Sequence, residues 1–423
     1  MKNLQPLRGF RDLYPEDKAV QNYIFETVRS VAALYGYSEY DGPIVEPLEL
    51  YTDKTSEEIL SKQAFEVMSK GQELEKWILR PEMTPTLARM VASRAGELTF
   101  PLRLFNIGPR FRYEAPQKGR SREFWQTDFD LLGSSSVLAD AEILLLVVEI
   151  FKKLGAGENE FIIFLNNRAE MEKNLLRIGY TEEGYNSLLP LIDRQDKISK
   201  DEFIAELLTI DPSQERAQKL VDFLYTSRTE ESVYFTELFD ILKSYKIDQF
   251  FQINYNITRG LDYYTGLVFE VKSKGSLKRS LLGGGRYDNL VGQYNPKYPI
   301  SGVGMSFSDV VTAEFLKDTN ILPPFTKTPA TVLVTTFDEQ TRNISIETAS
   351  KLRALGIPVE LYPDSGKKLD KQLKYADKMN IPYAVIIGPN EVERGMVILK
   401  DLKNKTQKEI KVEELTSSLS SRT

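Results

Sequence analysis

The 423-residue chain contains no histidine and no cysteine. Without histidine the usual general base and the commonest metal ligand are missing, and Ser-His-Asp and Cys-His chemistry are excluded outright. Without cysteine there is no disulfide framework, no thiolate zinc site and no thiol nucleophile. A reducing cytoplasm is the expected compartment. Long apolar runs are also lacking. The longest, Ile143 to Ile150, is too short to span a bilayer and reads as a buried helix segment. The N-terminus shows neither an h-region nor a cleavage site, so neither export nor a membrane partner is expected. Positive charge is not in excess: 55 Lys and Arg against 61 Asp and Glu give a formal net charge of −6. A protein that coats duplex nucleic acid is usually basic, so any such contact here must come from local basic patches. Catalysis must rest on carboxylates, Arg, Lys, Tyr, bound metal or the substrate itself.

What is present suggests several domains, because a chain this long exceeds one compact core. Pro15, Glu16 and Asp17 read as a helix start, with proline at the first position and acids in the first turn. Val20, Ile24, Val28, Val31 and Leu34 then recur at helical spacing until Gly36. A strand around Tyr40 to Glu46 carries Pro43, which suits an edge or an interface. Further strands are predicted at Trp77 to Leu79, Leu102 to Ile107, Arg110 to Glu114, Glu123 to Leu131 and Glu160 to Leu165, with a helix from Asp140 to Leu154 closed by Gly155. From about 169 to 247 the pattern changes to helices with charged faces, an insertion between two halves of one sheet. Strands resume at Phe250 to Ile257. The organisation read from the sequence is therefore a core over 1–322 with that insertion, a proline-rich linker at 323–329, and a β-α-β-α-β domain over 330–423, expected to hold a small parallel sheet.

Two runs carry the most chemistry. The first, Arg259-Gly260-Leu261-Asp262-Tyr263-Tyr264-Thr265-Gly266, packs a cation, a carboxylate and two phenols together and leads into an apolar strand. Such groups are buried only where each finds a partner, so the run is expected to line a polar pocket. The second is Gly283-Gly284-Gly285-Arg286-Tyr287-Asp288, whose glycines let backbone approach a ligand and whose Arg can pair with phosphate. A third constellation joins Phe111-Arg112-Tyr113-Glu114 through a basic loop to Glu123-Phe124-Trp125-Gln126. Alternate residues share a strand face, and guanidinium planes grip phosphate oxygens in pairs.

The first two runs closely resemble the histidine-specific motifs of histidyl-tRNA synthetases, and the third resembles class II motif 2 in its histidyl form. The resemblance extends from Gly9 to Asp17 through the C-terminal domain. It implies an α+β fold: a class II synthetase antiparallel sheet with flanking helices, a helical insertion and a C-terminal α/β anticodon-binding domain. It implies a homodimer, held partly by the first long helix and the proline-bearing strand. It implies activation of histidine with ATP, Mg²⁺ on the β- and γ-phosphates, and transfer to the 3′ end of histidine tRNA. On matching positions it implies that Glu82 and Thr84 hold the histidine ammonium. Gln126, Asp130 and Tyr264 surround the imidazole, and Tyr263 shapes the wall. Arg112 and Arg259 bracket the α-phosphate, Glu114, Gly283, Gly284, Gly285 and Arg286 serve ATP, and Gln117 and Arg122 meet the tRNA's extra 5′ guanosine. No protein metal site is implied. An enzyme that charges histidine and lacks it could be made while histidine is short.

One segment departs from the pattern. Motif 3 ends in Glu-Arg, whose Arg grips the ATP γ-phosphate, whereas here Val310-Val311, or Ser308-Asp309 after a two-residue shift, stand there. Arg286 is the candidate substitute. The departure keeps open a second reading, a synthetase-like regulatory subunit of ATP phosphoribosyltransferase. In the last domain Lys367, Lys368, Lys371 and Lys374 make a basic stripe suited to RNA phosphates.

Overall fold

A computed structural model describes residues 4–52, 63–68, 76–195, 198–225, 232–257, 263–325 and 327–420. The chain separates into two compact units, 1–12 with 20–322 and 13–19 with 323–423.

The first unit is organised by an eight-stranded sheet whose spatial order is 38–39, 102–111, 123–132, 302–308, 280–286, 267–273, 161–167 and 251–253. The inner pairings are antiparallel, and only the two outermost pairings are parallel. The strand expected to break near Pro109 runs unbroken from Leu102 to Phe111 beside Glu123–Leu132. In contrast, the expected 40–46 strand forms only as the short segments Ser38–Glu39 and Val45–Pro47 on either side of Pro43. Proline lacks the N–H a ladder needs, so the ladder is interrupted between them, where among the described residues only the Tyr40 N–H, donating to the Phe105 carbonyl, and the Ile44 carbonyl, accepting from the Arg80 N–H, are bonded to neighbouring backbone.

The helix Val137–Lys153 is apolar nearly all round and almost wholly buried. Ser136 caps its N-terminus by accepting from the Leu138 N–H at 3.1 Å, Lys152 and Lys153 sit in its last turn, and Gly155 follows with φ +94°. A small sheet orders strands Val45–Pro47, Trp77–Leu79 and Phe65–Val67 and delivers Arg80, Pro81 and Glu82 to the start of helix Thr84–Arg94. The inserted region forms helices Arg168–Ile178, Glu182–Asp193, Lys200–Ile210, Gln214–Tyr225 and Val233–Ser244. Among the described residues no helix is long and apolar enough to cross a membrane.

The second unit carries a five-stranded sheet, ordered 359–361, 332–334, 383–386, 396–401, 406–411. Its first three strands are parallel, but the last two form an antiparallel hairpin that the β-α-β-α-β pattern did not contain. The edge strand Thr406–Lys411 is nearly all exposed and polar, so no apolar alternation marks it. A short helix, Pro389–Glu393, lies between the third and fourth strands of this sheet order. Lys367, Lys368, Lys371 and Lys374 are exposed at and within helix Leu369–Lys378.

Candidate active site

A cavity of about 390 Å³ opens on one face of the large sheet. Strand register explains which residues reach it. Gly283 pairs with Ser306, Ser306 with Asp128, Gly304 with Asp130 and Ser308 with Gln126. Even-numbered positions of the 123–132 and 302–308 strands and odd ones of the 280–286 strand therefore share this face. Gln126, Asp130, Gly283, Gly304, Ser306 and Ser308 all line the cavity.

Gly304 makes room for the acid beside it: a Cβ there would lie 2.4 Å from Asp130 Oδ1 and 2.7 Å from the Phe129 carbonyl. Asp130 is 3 % exposed and accepts a hydrogen bond from the Tyr287 hydroxyl. Burial, outweighing that bond, pushes its carboxyl up to about 8. Two residues earlier, Asp128 is fully engaged, accepting from Arg110 at 2.8 Å and from Gln126 Nε2 at 2.6 Å.

The opposite wall comes from the small sheet and from the tyrosine pair. Glu82 is buried, and its Oε2 accepts from Tyr263 Oη at 3.2 Å. Thr84 also bonds Tyr263, and the Tyr263 and Tyr264 rings meet edge-on, with centroids 4.9 Å apart. Burial, with the Glu82 charge nearby, holds the Tyr263 phenol well above its ordinary range, so it stays a donor. The Nε of Arg112 donates to the Pro81 carbonyl at 2.9 Å, and its guanidinium carbon lies 5.5 Å from the Phe124 ring centre. That anchoring leaves both terminal nitrogens of Arg112 without a hydrogen bond among the described residues.

Glu82, Thr84, Arg112, Glu114, Gln126, Asp130, Tyr263, Tyr264 and Gly283 thus converge on one cavity. Other candidates lie elsewhere. Arg286 differs from Gly283 by an odd number of positions and points through the sheet. There it pairs with Asp140 at 2.6 Å and Asp288 at 3.0 Å, and donates to the Ser134 and Ser136 carbonyls. The expectation that Arg286 serves ATP is corrected on this ground: its guanidinium is occupied on the wrong face, a parity the sequence already contained.

Gly284 and Gly285 serve packing: a Cβ on Gly284 would lie 2.2 Å from the Gly304 carbonyl, and one on Gly285 2.5 Å from the Leu267 carbonyl. Gln117 lines a separate cavity of about 450 Å³ with Gly9, Phe10 and Arg11. Arg122 lies 3.7 Å over the Tyr113 ring and donates to the Glu114 and Arg8 carbonyls. Arg259 falls outside the described residues.

Several lining residues were not singled out from the sequence: Arg120, Arg279, Tyr287 and Ser306. Tyr287 lay inside the glycine run, and an acid without a cation at position 130 needs a donor. Arg279 had no such signal, because a bulge between Ser280 and Leu282 breaks the alternation that would have placed it. At the motif 3 segment, Val310 and Val311 line the cavity, and Ser308 caps helix Asp309–Asp318. Asp309 is buried and accepts from Arg11 at 2.9 Å, Gln21 at 2.8 Å and the Trp125 N–H at 3.0 Å. No guanidinium reaches the cavity from either alignment of this segment.

Residues 9–310 match the family model for histidyl-tRNA synthetase, and residues 330–422 match that for an anticodon binding domain. The chain belongs to the histidyl-tRNA synthetase family. It is 35% identical over 413 residues to the histidine--tRNA ligase of Leptospira biflexa serovar Patoc, covering 95% of this chain and 93% of that one. The crystal structure of histidyl-tRNA synthetase from Nostoc sp. PCC 7120 matches along the whole length of both chains with a TM-score of 0.84 at 27% identity. A Bacillus halodurans structure described as an ATP phosphoribosyltransferase regulatory subunit/histidyl-tRNA synthetase shares the fold, with a TM-score of 0.73 at 23% identity over 88% of this chain and 96% of that one. The family membership agrees with the α+β architecture seen here, a class II sheet with flanking helices and a separate C-terminal α/β unit.

Proposed function

We propose that this chain is a histidine–tRNA ligase that makes histidyl-adenylate from histidine and ATP and passes the histidyl group to the 3′ end of histidine tRNA. One observation carries the reading: the Glu82 carboxylate, a polar end formed by Gln126, Asp130 and Tyr264, and the open guanidinium of Arg112 line one cavity. Glu82, an acceptor-only carboxylate, takes the α-ammonium with Thr84 beside it. Asp130 and Gln126 face the imidazole, whose two nitrogens need separate partners, and Tyr264 closes that end. A site built to bond those nitrogens leaves buried groups unpaired when another amino acid enters, and discriminates on that basis.

The histidine carboxylate attacks the α-phosphorus, and pyrophosphate leaves. This step needs no protein base, because the nucleophile is already an anion. Arg112, held by the Pro81 carbonyl and Phe124, is oriented toward the α-phosphate. Acceleration comes from alignment and from charge set against the developing negative oxygens. Arg259 is assigned the other side of that phosphate on sequence grounds. In the second step a ribose hydroxyl attacks the acyl carbon, an adenylate phosphate oxygen takes its proton, and the acyl–phosphate bond breaks to release AMP. Mg²⁺ bound with the nucleotide would offset charge on the β- and γ-phosphates, and Glu114, the cavity carboxylate paired with Arg120, would be the residue to hold it. We assign Gln117 and Arg122 to tRNA, the basic stripe of the second unit to the anticodon stem, and the homodimer to the helix Pro15–Leu34 and its following strand.

The regulatory-subunit reading draws only on the missing motif 3 arginine. The match of 330–422 to an anticodon binding domain favours the ligase. Histidine-dependent ATP–pyrophosphate exchange, followed by charging of histidine tRNA with and without its extra guanosine, tests the proposal. Folded protein that shows no exchange overturns it.

A further inference from the structure

Three arginines line the cavity besides any contribution from position 259: Arg112, Arg120 and Arg279. They are not equivalent. Arg112 is tied to Pro81, next to the Glu82 carboxylate. Arg120 forms an ion pair with Glu114. One terminal nitrogen of Arg279 is shielded from solvent and has no hydrogen-bond partner among the described residues. Burial, then the neighbouring Arg120 charge, drives the Arg279 guanidinium below its ordinary range, with Glu114 only partly compensating. Glu114 is paired with Arg120 and offsets Arg279 only in part, which leaves an uncompensated positive charge, a costly arrangement unless an anion completes it.

The surroundings favour a phosphate. Gly119, in the left-handed region at φ +75°, turns the basic loop so that a Cβ there would lie 3.4 Å from the Arg279 Cδ. The loop tip thus packs along the Arg279 stem. Val310 and Val311, in the first turn of helix Asp309–Asp318, line the same end of the cavity. The carboxylate of Asp309 is turned away into its bonds with Arg11, Gln21 and Trp125. That end is positive, and among the described residues that line it Glu114 is the one acid.

We propose that Arg279, beside Arg120, grips the terminal phosphate of the nucleotide and so supplies the cation that positions 308–311 lack. The inference rests on the ligase reading. That reading fixes the α-phosphate next to Glu82 and Arg112, because the α-phosphorus bonds the carboxyl group of the amino acid held there. The β- and γ-phosphates must then extend away from Glu82, toward the loop and Arg279.

The test compares two ligands in the full-length chain. ATP carries the terminal phosphates; histidyl-sulfamoyl-adenosine carries adenosine and the histidyl group but no β- or γ-phosphate. In Arg279→Ala the KM for ATP in pyrophosphate exchange should rise about tenfold or more, the loss of a charge-assisted hydrogen bond. Inhibition by the sulfamoyl compound should stay within about twofold of wild type, since its contacts are untouched. Arg279→Lys should recover part of the ATP affinity but not all of it. An unchanged ATP KM, or a parallel loss for both ligands, overturns the inference. If Arg279→Ala does not fold, Arg279→Gln is read in the same way. A wild-type chain without exchange overturns the ligase reading and this inference together, whereas active wild type with an indifferent Arg279 variant overturns only the inference.

Discussion

Two arginines stand at opposite ends of one strand. Arg286 closes Ser280–Arg286, and Arg279 immediately precedes it. Arg286 is 6 % exposed, its nitrogens engaged by Asp140, Asp288 and two backbone carbonyls. Arg279 is partly exposed, has no ion pair among the described residues and keeps a bare nitrogen, Glu114 being paired with Arg120. A guanidinium whose donors are all taken is part of the framework, while one with donors left over and a cavity in front of it is available to a ligand. A related contrast holds on the neighbouring strand. Arg110 is fully buried and bonded to Asp128 and Asn106, with only its Nε unpaired and no cavity in front of it, but Arg112, on the same face, is anchored by its Nε alone and lines the cavity. Asp128 is satisfied by Arg110 and Gln126, whereas Asp130 has Tyr287 and faces the cavity.

The contrast is most sharply tested by removing Arg286. Arg286→Ala leaves Asp140 buried among Tyr234 and the helix start with no cation, and should destabilise the protein by about 3–5 kcal/mol. Arg279→Ala, losing a half-exposed side chain, should shift stability by no more than about 1 kcal/mol. Denaturant unfolding of the two variants checks both values; equal losses would erase the distinction between framework and ligand arginines. The pair Arg110 and Arg112 sharpens it in the other direction. Arg112→Ala should lower kcat/KM for pyrophosphate exchange by about 10²-fold or more while leaving the unfolding midpoint near wild type. An Arg112→Ala chain that unfolds easily would show that its anchor to Pro81 is structural after all.

The comparison also shows what the sequence could and could not disclose. The end of the cavity lined by Glu82 and the tyrosine pair was legible because its residues lie in compact runs: Glu82 and Thr84 flank one helix start, and Tyr263 and Tyr264 are adjacent. Strand periodicity aligned Gln126 with Asp130. The phosphate end was less legible. Arg286 was drawn in by its glycines, although its odd spacing from Gly283 sends it through the sheet. Arg279 was hidden by the bulge at Ser280, which no composition signal announces. Hydrophobic periodicity located the helix Val137–Lys153 and the main strands, but it had no purchase on the exposed polar strand Thr406–Lys411. Pairing partners decide such cases, and they are set by distant chain segments.

The acids extend the contrast to pH. The Asp130 carboxyl is held near 8 in the folded chain, against about 3.9 for an exposed aspartate. Between those values the folded state binds the extra proton, so this group's contribution to stability falls as pH rises from about 4 to about 8. Asp130→Asn removes the titration. Between pH 5 and pH 8 wild type should therefore lose on the order of 3–4 kcal/mol more than the variant. Parallel profiles in denaturant unfolding would mean that Asp130 is compensated as fully as Asp128.

The smallest effect is expected at the tip of the basic loop, where exposure replaces burial. Gln117 is exposed, and its backbone exchanges hydrogen bonds with Arg120, donating to the carbonyl at 3.2 Å and accepting from the N–H at 2.8 Å. Its side chain can therefore be removed without opening that turn, and Gln117→Ala should change stability by less than about 0.5 kcal/mol. Pyrophosphate exchange should be unaffected, since Gln117 lines the outer cavity with Gly9 and Arg11 and not the one that holds Arg112. Arg122→Ala is the useful partner measurement. It gives up the stacking on Tyr113 and two carbonyl contacts, and should cost about 1 kcal/mol of stability. If both side chains meet the tRNA, each variant raises the KM for histidine tRNA in charging assays while exchange stays near wild type. A Gln117→Ala chain that charges tRNA normally beside an impaired Arg122→Ala chain would confine RNA recognition to the stacked arginine. Loss of exchange in Gln117→Ala would instead tie the outer cavity to the activation site.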